Sequence, residues 1–210
     1  MPRVLLASLA IAALSALSCG VFSMAPRELP PVSAPPQARA AAGQTTPADA
    51  ATTSIQAFLE ARHTGLARFE VAQLARTIVA EAHRNALDPV LVMALIHVES
   101  RFNNFAVSPV GAMGLMQILP STGEEIAAEL GITWHGPQTL FDPIANVRIG
   151  VAYLHQLSER YEDLPTALAA YNWGPGRIDR RIRRGTTLPT DYPRLVLEAH
   201  AVTQGKDRSS

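Results

Sequence analysis

A glutamate near the end of an apolar helix is the residue in this sequence best suited to acid chemistry. Glu99 ends an apolar run that begins at Met93, and helical spacing places it on the same stripe as Val92, Leu95 and Ile96. Burial disfavours the charged form of a carboxyl group, so such an acid can stay protonated near neutral pH and donate its proton to a leaving oxygen. The competing interpretation is an ordinary glutamate in solvent, paired with a neighbouring arginine.

A stretch that contains glycine follows Glu99 and interrupts the helical pattern over residues 109–120. Gly111 and Gly114 permit a positive φ, which allows a tight turn and brings the backbone close to a ligand. Ser108 and Gln117 can hydrogen-bond a ligand or hold Glu99, although local side-chain bonds within a turn are the common alternative. The sequence therefore predicts a loop that exposes its backbone close to the acid.

Several segments show helical spacing from about residue 55 onward, and no useful run alternates as a strand would. The fold class predicted from this pattern is mainly α. Asp–Pro pairs mark helix starts, because aspartate can cap a helix and proline suits its first position. The predicted helices are 68–85, one that starts at Asp88–Pro89, one from Pro120 to Gly131, one from Asp142–Pro143 to about 160, one from Leu164 to Tyr171, and one or two more through Ile178 and from Arg194 to Val202.

The start of the chain predicts export. Residues 1–25 indicate a signal sequence or a membrane anchor, because Arg3 precedes an apolar stretch with small residues; a retained transmembrane helix is the alternative. Cys19, the only cysteine, lies in a sequence that partly matches a lipoprotein cleavage site, and an incidental cysteine explains it equally well. Residues 26–54 are rich in proline and alanine and are predicted to be a flexible linker. The folded domain is expected over residues 55–205.

Composition argues against several classes of function. The formal net charge is zero, so bulk attraction to nucleic acid is not indicated. The six histidines show no metal-ligand spacing, and no phosphate-binding loop is present, so we expect neither a metal nor a cofactor. Five arginines between Arg177 and Arg184 can attract an anionic polymer, although a solvated helix face is the commoner explanation.

A retaining glycosidase normally has a second carboxylate about 5 Å from its acid, as the nucleophile. The motifs contain no such residue, because Asp88, Asp142 and Asp163 all lie where helix capping explains them. Two glycosidic chemistries need no protein nucleophile. In one, the 2-acetamido oxygen of the substrate attacks the anomeric carbon; the other is inverting hydrolysis, which needs a group to place water.

Four motifs, in order and with suitable spacing, resemble the soluble lytic transglycosylase family over about residues 75–195. Their combination is specific, whereas each motif alone is a weak signal. They are Glu99–Phe102, then Ser108 with Gly111–Pro120, then Asn146 with Gly150 and Tyr153–Leu154, and then Ala170–Gly176.

The resemblance implies a goose-lysozyme-like helical fold. It also implies cleavage of the β-1,4 bond between N-acetylmuramic acid and N-acetylglucosamine in peptidoglycan, with 1,6-anhydro ends and the acetamido group as nucleophile. Glu99 is then the catalytic residue, as acid and later as base. The substrate-binding residues that the resemblance implies are Ser108, Gly114, Met116, Gln117, Asn146, Tyr171, Asn172 and Tyr192.

Three of these residues have open alternatives. Tyr171 offers a ring face for a sugar and a hydroxyl that can bond Glu99, or it is a core tyrosine. Asn146 either contacts substrate or braces the cleft. The segment 188–192 keeps the tyrosine of the family pattern but lacks the Glu-Thr pair that often precedes it, so the position of Tyr192 needs a structure.

The expected partner is peptidoglycan, reached from the periplasm or from a membrane that faces it. An N-terminal membrane tether and recruitment by secretion or cell-division machinery are further expectations, and nucleic acid is not. Two other functions fit the same fold. One is lysozyme-type hydrolysis of peptidoglycan, and the other is a non-catalytic wall-binding subunit of a secretion apparatus.

Overall fold

The computed structural model describes residues 46–62 and 64–207. The predicted signal or anchor, 1–25, lies outside the described residues, as does the predicted linker as far as residue 45. The remainder of that linker is helical, because α1 begins at Pro47. The predicted boundary at residue 54 is therefore not where the folded part starts.

Eight α-helices and one 3-10 helix make up the described structure, which confirms the mainly α fold class. Between residues 101 and 119 the chain forms only isolated bridges, from Val107 to Met113 and from Met113 to Ile118. The α-helices are α1 (Pro47–Glu60), α2 (Arg68–Arg84), α3 (Pro89–Ser100), α4 (Pro120–Glu129), α5 (Pro143–Tyr161), α6 (Leu164–Trp173), α7 (Pro175–Arg183) and α8 (Asp191–Asp207), and the 3-10 helix is Pro137–Phe141.

Local capping signals set most of these boundaries. Asp88, Asp142 and Asp163 each accept a hydrogen bond from a backbone N–H of the first turn that follows, as predicted for helix caps. Thr46 and Asp49 form a reciprocal capping box at the start of α1. That box explains why α1 begins inside the predicted linker, since it satisfies backbone donors that a helix end would otherwise leave unpaired.

Helix α3 lies at the centre of the core. The side chains from Leu91 to Ile96 are buried in succession, which is the pattern of a helix surrounded by protein. Its most extensive contacts are with α8. No helix in the described ranges is long and apolar enough to cross a membrane.

Helices α3 and α8 run antiparallel and are joined by polar contacts at both ends. Near the start of α8, the hydroxyl of Tyr192 donates to Glu99 at the end of α3. At the other end of the pair, the carboxylate of Asp88 is 2.7 Å from Nε2 of His200 and accepts from Nε2 of Gln204 at 3.0 Å. This second contact fixes α8 along α3 and so helps to place Tyr192 beside the acid.

The contacts of Asp88 predict a pH-dependent contribution to stability. Burial raises the pKa of this carboxyl, but hydrogen bonds from His200, the Val90 N–H and Gln204 outweigh it, and the pKa is lowered from 3.8. A lowered folded-state pKa adds stability above the unfolded value, and that stability is lost as the pH falls through the folded pKa.

We therefore expect Asp88→Ala to lower the free energy of unfolding by about 1–2 kcal/mol at neutral pH, and by less in acid. Asp142→Ala is the matched control, because Asp142 caps α5 after the same Asp–Pro pattern and its side chain hydrogen-bonds only backbone N–H groups of its own helix. Urea titrations of both variants measure the difference. Equal losses in the two variants would show that the α3–α8 contact adds nothing.

Candidate active site

Glu99 lies in the last turn of α3 and is only partly accessible. Burial raises the pKa of its carboxyl, the hydrogen bond from Tyr192 lowers it, and the balance places the pKa at about 7. The residues expected to share its stripe, Val92, Leu95 and Ile96, are all buried. Both the acid and the carboxylate are therefore accessible near neutral pH, as required of a proton donor that later accepts a proton.

The hydroxyl that bonds Glu99 belongs to Tyr192 and not to Tyr171. Tyr192 is the second residue of α8 and is 8% exposed, so its donor is aimed at Glu99 from inside the protein. The predicted bond from Tyr171 to Glu99 is wrong, because that hydroxyl donates to the Met116 carbonyl at 2.8 Å. Both tyrosines still lie within the influence of the Glu99 charge, which contributes to raising the pKa of each phenol.

The segment between α3 and α4 folds back on itself in two tight turns. Gly111 and Gly114 take φ values of 84° and 79°, as predicted from their type, and Gln117 takes 49°. The Gln117 side chain donates to the carbonyls of Ala106 and Gly114 at 3.1 and 2.9 Å. Its amide thus stabilises the loop from within.

Hydrogen bonds to the backbone of Met116 attach this loop to the rest of the domain. Its N–H donates to Oδ1 of Asn146 at 2.8 Å, and its carbonyl accepts from Tyr171. The amide nitrogen of Asn146 donates to the carbonyls of Met113 and Leu140 at 3.0 and 2.9 Å. Asn146 has no exposed surface, so it braces the loop from below, which is the second of its two predicted interpretations.

Two glycines are required by this packing. A Cβ on Gly114 would lie 2.2 Å from both Nδ2 of Asn146 and the Leu140 carbonyl oxygen. The close approach at Gly114 is therefore to the protein itself rather than to a ligand. A Cβ on Gly150, in α5, would lie 2.5 Å from Sδ of Met116 and 2.8 Å from its Cβ. Gly150 is part of the third motif, and a glycine inside a helix signals a close packing contact of this kind.

The remaining predicted site residues differ in accessibility. The hydroxyl of Ser108 accepts from the Ala112 N–H at 3.0 Å, as a turn residue does, and this side chain is partly exposed. Asn172 and Trp173 are exposed at the end of α6. The ring of Tyr171 packs against that of Tyr153, with centroids 5.2 Å apart. The structure thus brings Glu99, Tyr192, the loop and Tyr171 together, with Asn172 next to Tyr171 in the chain.

Two clefts, each of about 600 Å³, are lined by other residues. One is lined mainly by α6, residues 188–190 and α8, and the other by α2, residues 132–139 and the start of α5. Glu99 lines neither of them. No group of three or more His, Cys, Asp or Glu side chains in the described part of the chain is arranged to hold a metal ion.

The chemistry that the arrangement supports is proton transfer by a single carboxyl group. Burial and the Tyr192 hydrogen bond account for the shift in the pKa of Glu99, and no other carboxylate among the described residues contributes to it. Tyr171, which holds the loop through the Met116 carbonyl, lies close enough to Glu99 for the charge of that carboxylate to contribute to raising the pKa of the phenol. Such a site can protonate a leaving group and then accept a proton back.

Comparison with known proteins identifies relatives of this arrangement. The sequence profile of the family described as "Transglycosylase SLT domain" matches residues 76–192. The chain is 39% identical over 119 residues to the transglycosylase of Enterobacteria phage PRD1, covering 50% of this chain and 42% of that protein. It is 41% identical over 88 residues to the soluble lytic murein transglycosylase of Salmonella typhimurium, covering 41% of this chain and 14% of that protein.

A solved structure shows the same fold. The inactive glutamate-to-glutamine mutant of the lytic transglycosylase Slt from Pseudomonas aeruginosa matches with a TM-score of 0.55 and 32% identity, over 63% of this chain and 24% of that one. The chain therefore spans less than half the length of each of these three relatives.

The raised pKa of Glu99 predicts a stability difference with a definite sign. A carboxyl with a folded-state pKa of about 7 and an ordinary value of 4.5 destabilises the folded state as the pH rises from the lower value through the higher one. Glu99→Gln removes the ionisation while keeping an oxygen acceptor for Tyr192. We expect the two proteins to be equally stable near pH 4, and the variant to be more stable by about 3 kcal/mol above pH 8.

Urea unfolding at several pH values measures this difference. A constant difference across that range would mean that the pKa of Glu99 is the same in the folded and unfolded states, and the assignment of a buried acid would be wrong.

The two loop glycines provide a matched test of the brace. Gly111 and Gly114 both have positive φ, but a Cβ on Gly111 would meet nothing within 4 Å. We expect Gly111→Ala to cost about 1 kcal/mol, from the backbone conformation alone, and Gly114→Ala to cost about 1–3 kcal/mol more, because it displaces Asn146. Thermal and urea unfolding of both variants check this order, and similar losses would contradict it.

Proposed function

The chain belongs to the transglycosylase SLT domain family, and from this we propose that it is a peptidoglycan lytic transglycosylase that acts through Glu99. The observation that carries the proposal is a single partly buried carboxyl with a pKa of about 7 beside a braced loop. The names of the relatives support the reaction class. The inactivity of the Slt glutamate-to-glutamine mutant supports a glutamate as the essential acid.

The proposed reaction begins with proton donation. Glu99 gives its proton to the glycosidic oxygen between N-acetylmuramic acid and N-acetylglucosamine, so that the second sugar leaves as an alcohol. As the C1–O bond breaks, the 2-acetamido oxygen of the muramic acid bonds to C1 in its place. Glu99 is then a carboxylate, and its hydrogen bond from Tyr192 stabilises that charge.

In the second step Glu99 acts as a base. It takes the proton from the C6 hydroxyl of the same sugar, and that oxygen displaces the acetamido oxygen at C1. The product is a 1,6-anhydro ring, no water is consumed, and Glu99 is protonated again. This route needs no carboxylate nucleophile. That agrees with the causes of the shift in the Glu99 pKa, which are burial and the Tyr192 hydrogen bond and include no second carboxylate.

The predicted substrate-binding residues divide into two groups on this proposal. Exposed Asn172 and the partly exposed side chains of Ser108 and Gln117 are assigned to sugar contacts, together with the exposed edge of the loop backbone. The remaining predicted residues position Glu99 or the loop and are not assigned to sugar contacts. Tyr192 holds Glu99, and the loop is held in place by Met116, Tyr171, Asn146 and the space left by Gly114.

The proposed place of action is outside the cytoplasmic membrane, where peptidoglycan lies. The charged and apolar pattern of residues 1–25 supports export, and the composition of the following segment supports a tether. Relatives with this domain include a protein named as a membrane-bound lytic murein transglycosylase, from Actinobacillus pleuropneumoniae, which is 32% identical over 145 residues.

Analysis of reaction products tests the proposal. Purified enzyme is incubated with murein sacculi, and the fragments are identified by mass spectrometry. We expect 1,6-anhydromuramic acid ends from the wild type, and a loss of turnover by about two orders of magnitude or more in Glu99→Gln, because the amide cannot supply a proton. Reducing ends would instead establish a lysozyme-type hydrolase, and glycan binding without turnover would establish a wall-binding subunit.

Removal of the Tyr192 hydroxyl predicts a shift in the pH profile. Its hydrogen bond lowers the pKa of Glu99, so Tyr192→Phe raises that pKa further. Because the acid must be protonated for the first step, we expect the alkaline limb of kcat/KM to move to higher pH in the variant. Tyr161→Phe is the control, since the hydroxyl of Tyr161 bonds Asp179 and the Pro175 carbonyl instead. An unchanged limb in Tyr192→Phe would exclude this contact as a determinant of the acid's pKa.

A further inference from the structure

Helix α7 carries an unusual concentration of positive charge. Between residues 177 and 184 there are five arginines and a single acidic residue, Asp179. Asp179 is already engaged, because Arg160 of α5 forms an ion pair with it and Tyr161 donates to it at 2.8 Å. The five arginines therefore have no carboxylate on their own helix that is not already paired with another element.

None of the five forms an ion pair with another described residue. Arg181 donates to the Thr187 carbonyl at 2.6 Å and so fixes the turn after the helix. The other four are exposed, and only Ile178 on this helix is buried. The helix thus packs on the domain through one side and presents the remaining cations to solvent.

The helix dipole explains only part of this pattern. Cations in the last turn of a helix are stabilised by its negative end, which suits Arg180, Arg181 and Arg183. Arg177 lies in the first turn, where a cation is disfavoured. It is held there over the indole ring of Trp173, with its guanidinium carbon 4.5 Å from the ring centroid.

The Arg177–Trp173 pair is close in the sequence to residues of the proposed active site. Trp173 is 41% exposed and lies two residues after Tyr171, whose hydroxyl holds the loop beside Glu99. Consecutive Cα atoms are about 3.8 Å apart, so the Cα of Trp173 lies within about 8 Å of that of Tyr171. Trp173 directly follows Asn172, a residue assigned to sugar contacts, and the guanidinium of Arg177 lies over the ring of Trp173.

We propose that α7 binds the free carboxylates of the peptide stems of peptidoglycan, while the glycan strand occupies the site at Glu99. This inference rests on the proposed function, because it assigns a second contact to the same substrate. Peptide stems are attached to muramic acid. A glycan strand that places a muramic acid at Glu99 therefore brings the carboxylates of the attached stem close to the site. Arginine suits this task because its planar guanidinium pairs with a carboxylate through two parallel hydrogen bonds.

A comparison of two polymers tests the proposal. One is glycan that retains its peptide stems, and the other is the same glycan after an amidase has removed them. The measured quantity is the ratio of kcat/KM on the first polymer to that on the second. In the double variant Arg177→Gln/Arg180→Gln we expect this ratio to fall roughly tenfold through KM, as expected for the loss of two exposed charge pairs. Raising the ionic strength to about 0.5 M should reduce the wild-type ratio in the same direction.

The matched control is Arg68→Gln/Arg76→Gln, which removes the same charge from exposed positions on α2. We expect it to keep the wild-type ratio. An unchanged ratio in the α7 variant, or an equal change in both variants, would overturn the proposal. So would tighter binding of the α7 arginines to anionic lipid vesicles or nucleic acid than to glycan that retains its stems.

Binding of inactive Glu99→Gln enzyme to the two polymers separates failure of this inference from failure of the proposed function. If the wild type cleaves neither polymer, the proposed function fails. The role of α7 is still supported in that case if the enzyme retains only the polymer with peptide stems, and if Arg177→Gln/Arg180→Gln abolishes that retention. Equal retention of both polymers overturns it.

Discussion

Burial of one carboxyl group at the end of α3 is the constraint on which the site depends. An apolar helix surrounded by protein sets a low-polarity environment, and Glu99 lies where that environment ends. Desolvation alone would favour the neutral acid, and the Tyr192 hydroxyl moderates this by stabilising the carboxylate. Both charge states are thereby accessible near neutral pH. Since Tyr192 comes from α8, the packing of α8 along α3 determines the chemistry of the acid.

The loop beside the acid is positioned by a second set of contacts, all of which converge on the backbone of Met116. An N–H and a carbonyl of one residue are held by Asn146 and Tyr171, from two different helices. Buried hydrogen bonds of this kind fix a backbone closely, because breaking one leaves an unpaired polar group in the interior. The domain therefore holds its acid and its loop through separate sets of contacts.

Helix boundaries were predictable from the sequence wherever a local signal specified them. Asp88–Pro89 and Asp142–Pro143 start helices as predicted, since a cap acts within a few residues. The start of α1 lies inside the segment predicted to be a linker, although Thr46 and Asp49 carry a readable capping signal. Contacts between distant residues were not predictable from spacing: Tyr192 and Glu99 are 93 positions apart, and the hydroxyl of Tyr171 bonds a carbonyl that any residue supplies. The burial of Glu99 was predictable, because its stripe is continuous with the core.

Direct titration of Glu99 tests the central claim. The carboxyl carbon of ¹³C-labelled glutamate is followed by NMR across the pH range, with the signal assigned from its absence in Glu99→Gln. A protonation midpoint near 7, against ordinary values for the exposed glutamates, is the result that the buried acid predicts. A midpoint close to 4.5 would show a solvated carboxylate that is ionised at neutral pH, and would contradict its role as proton donor.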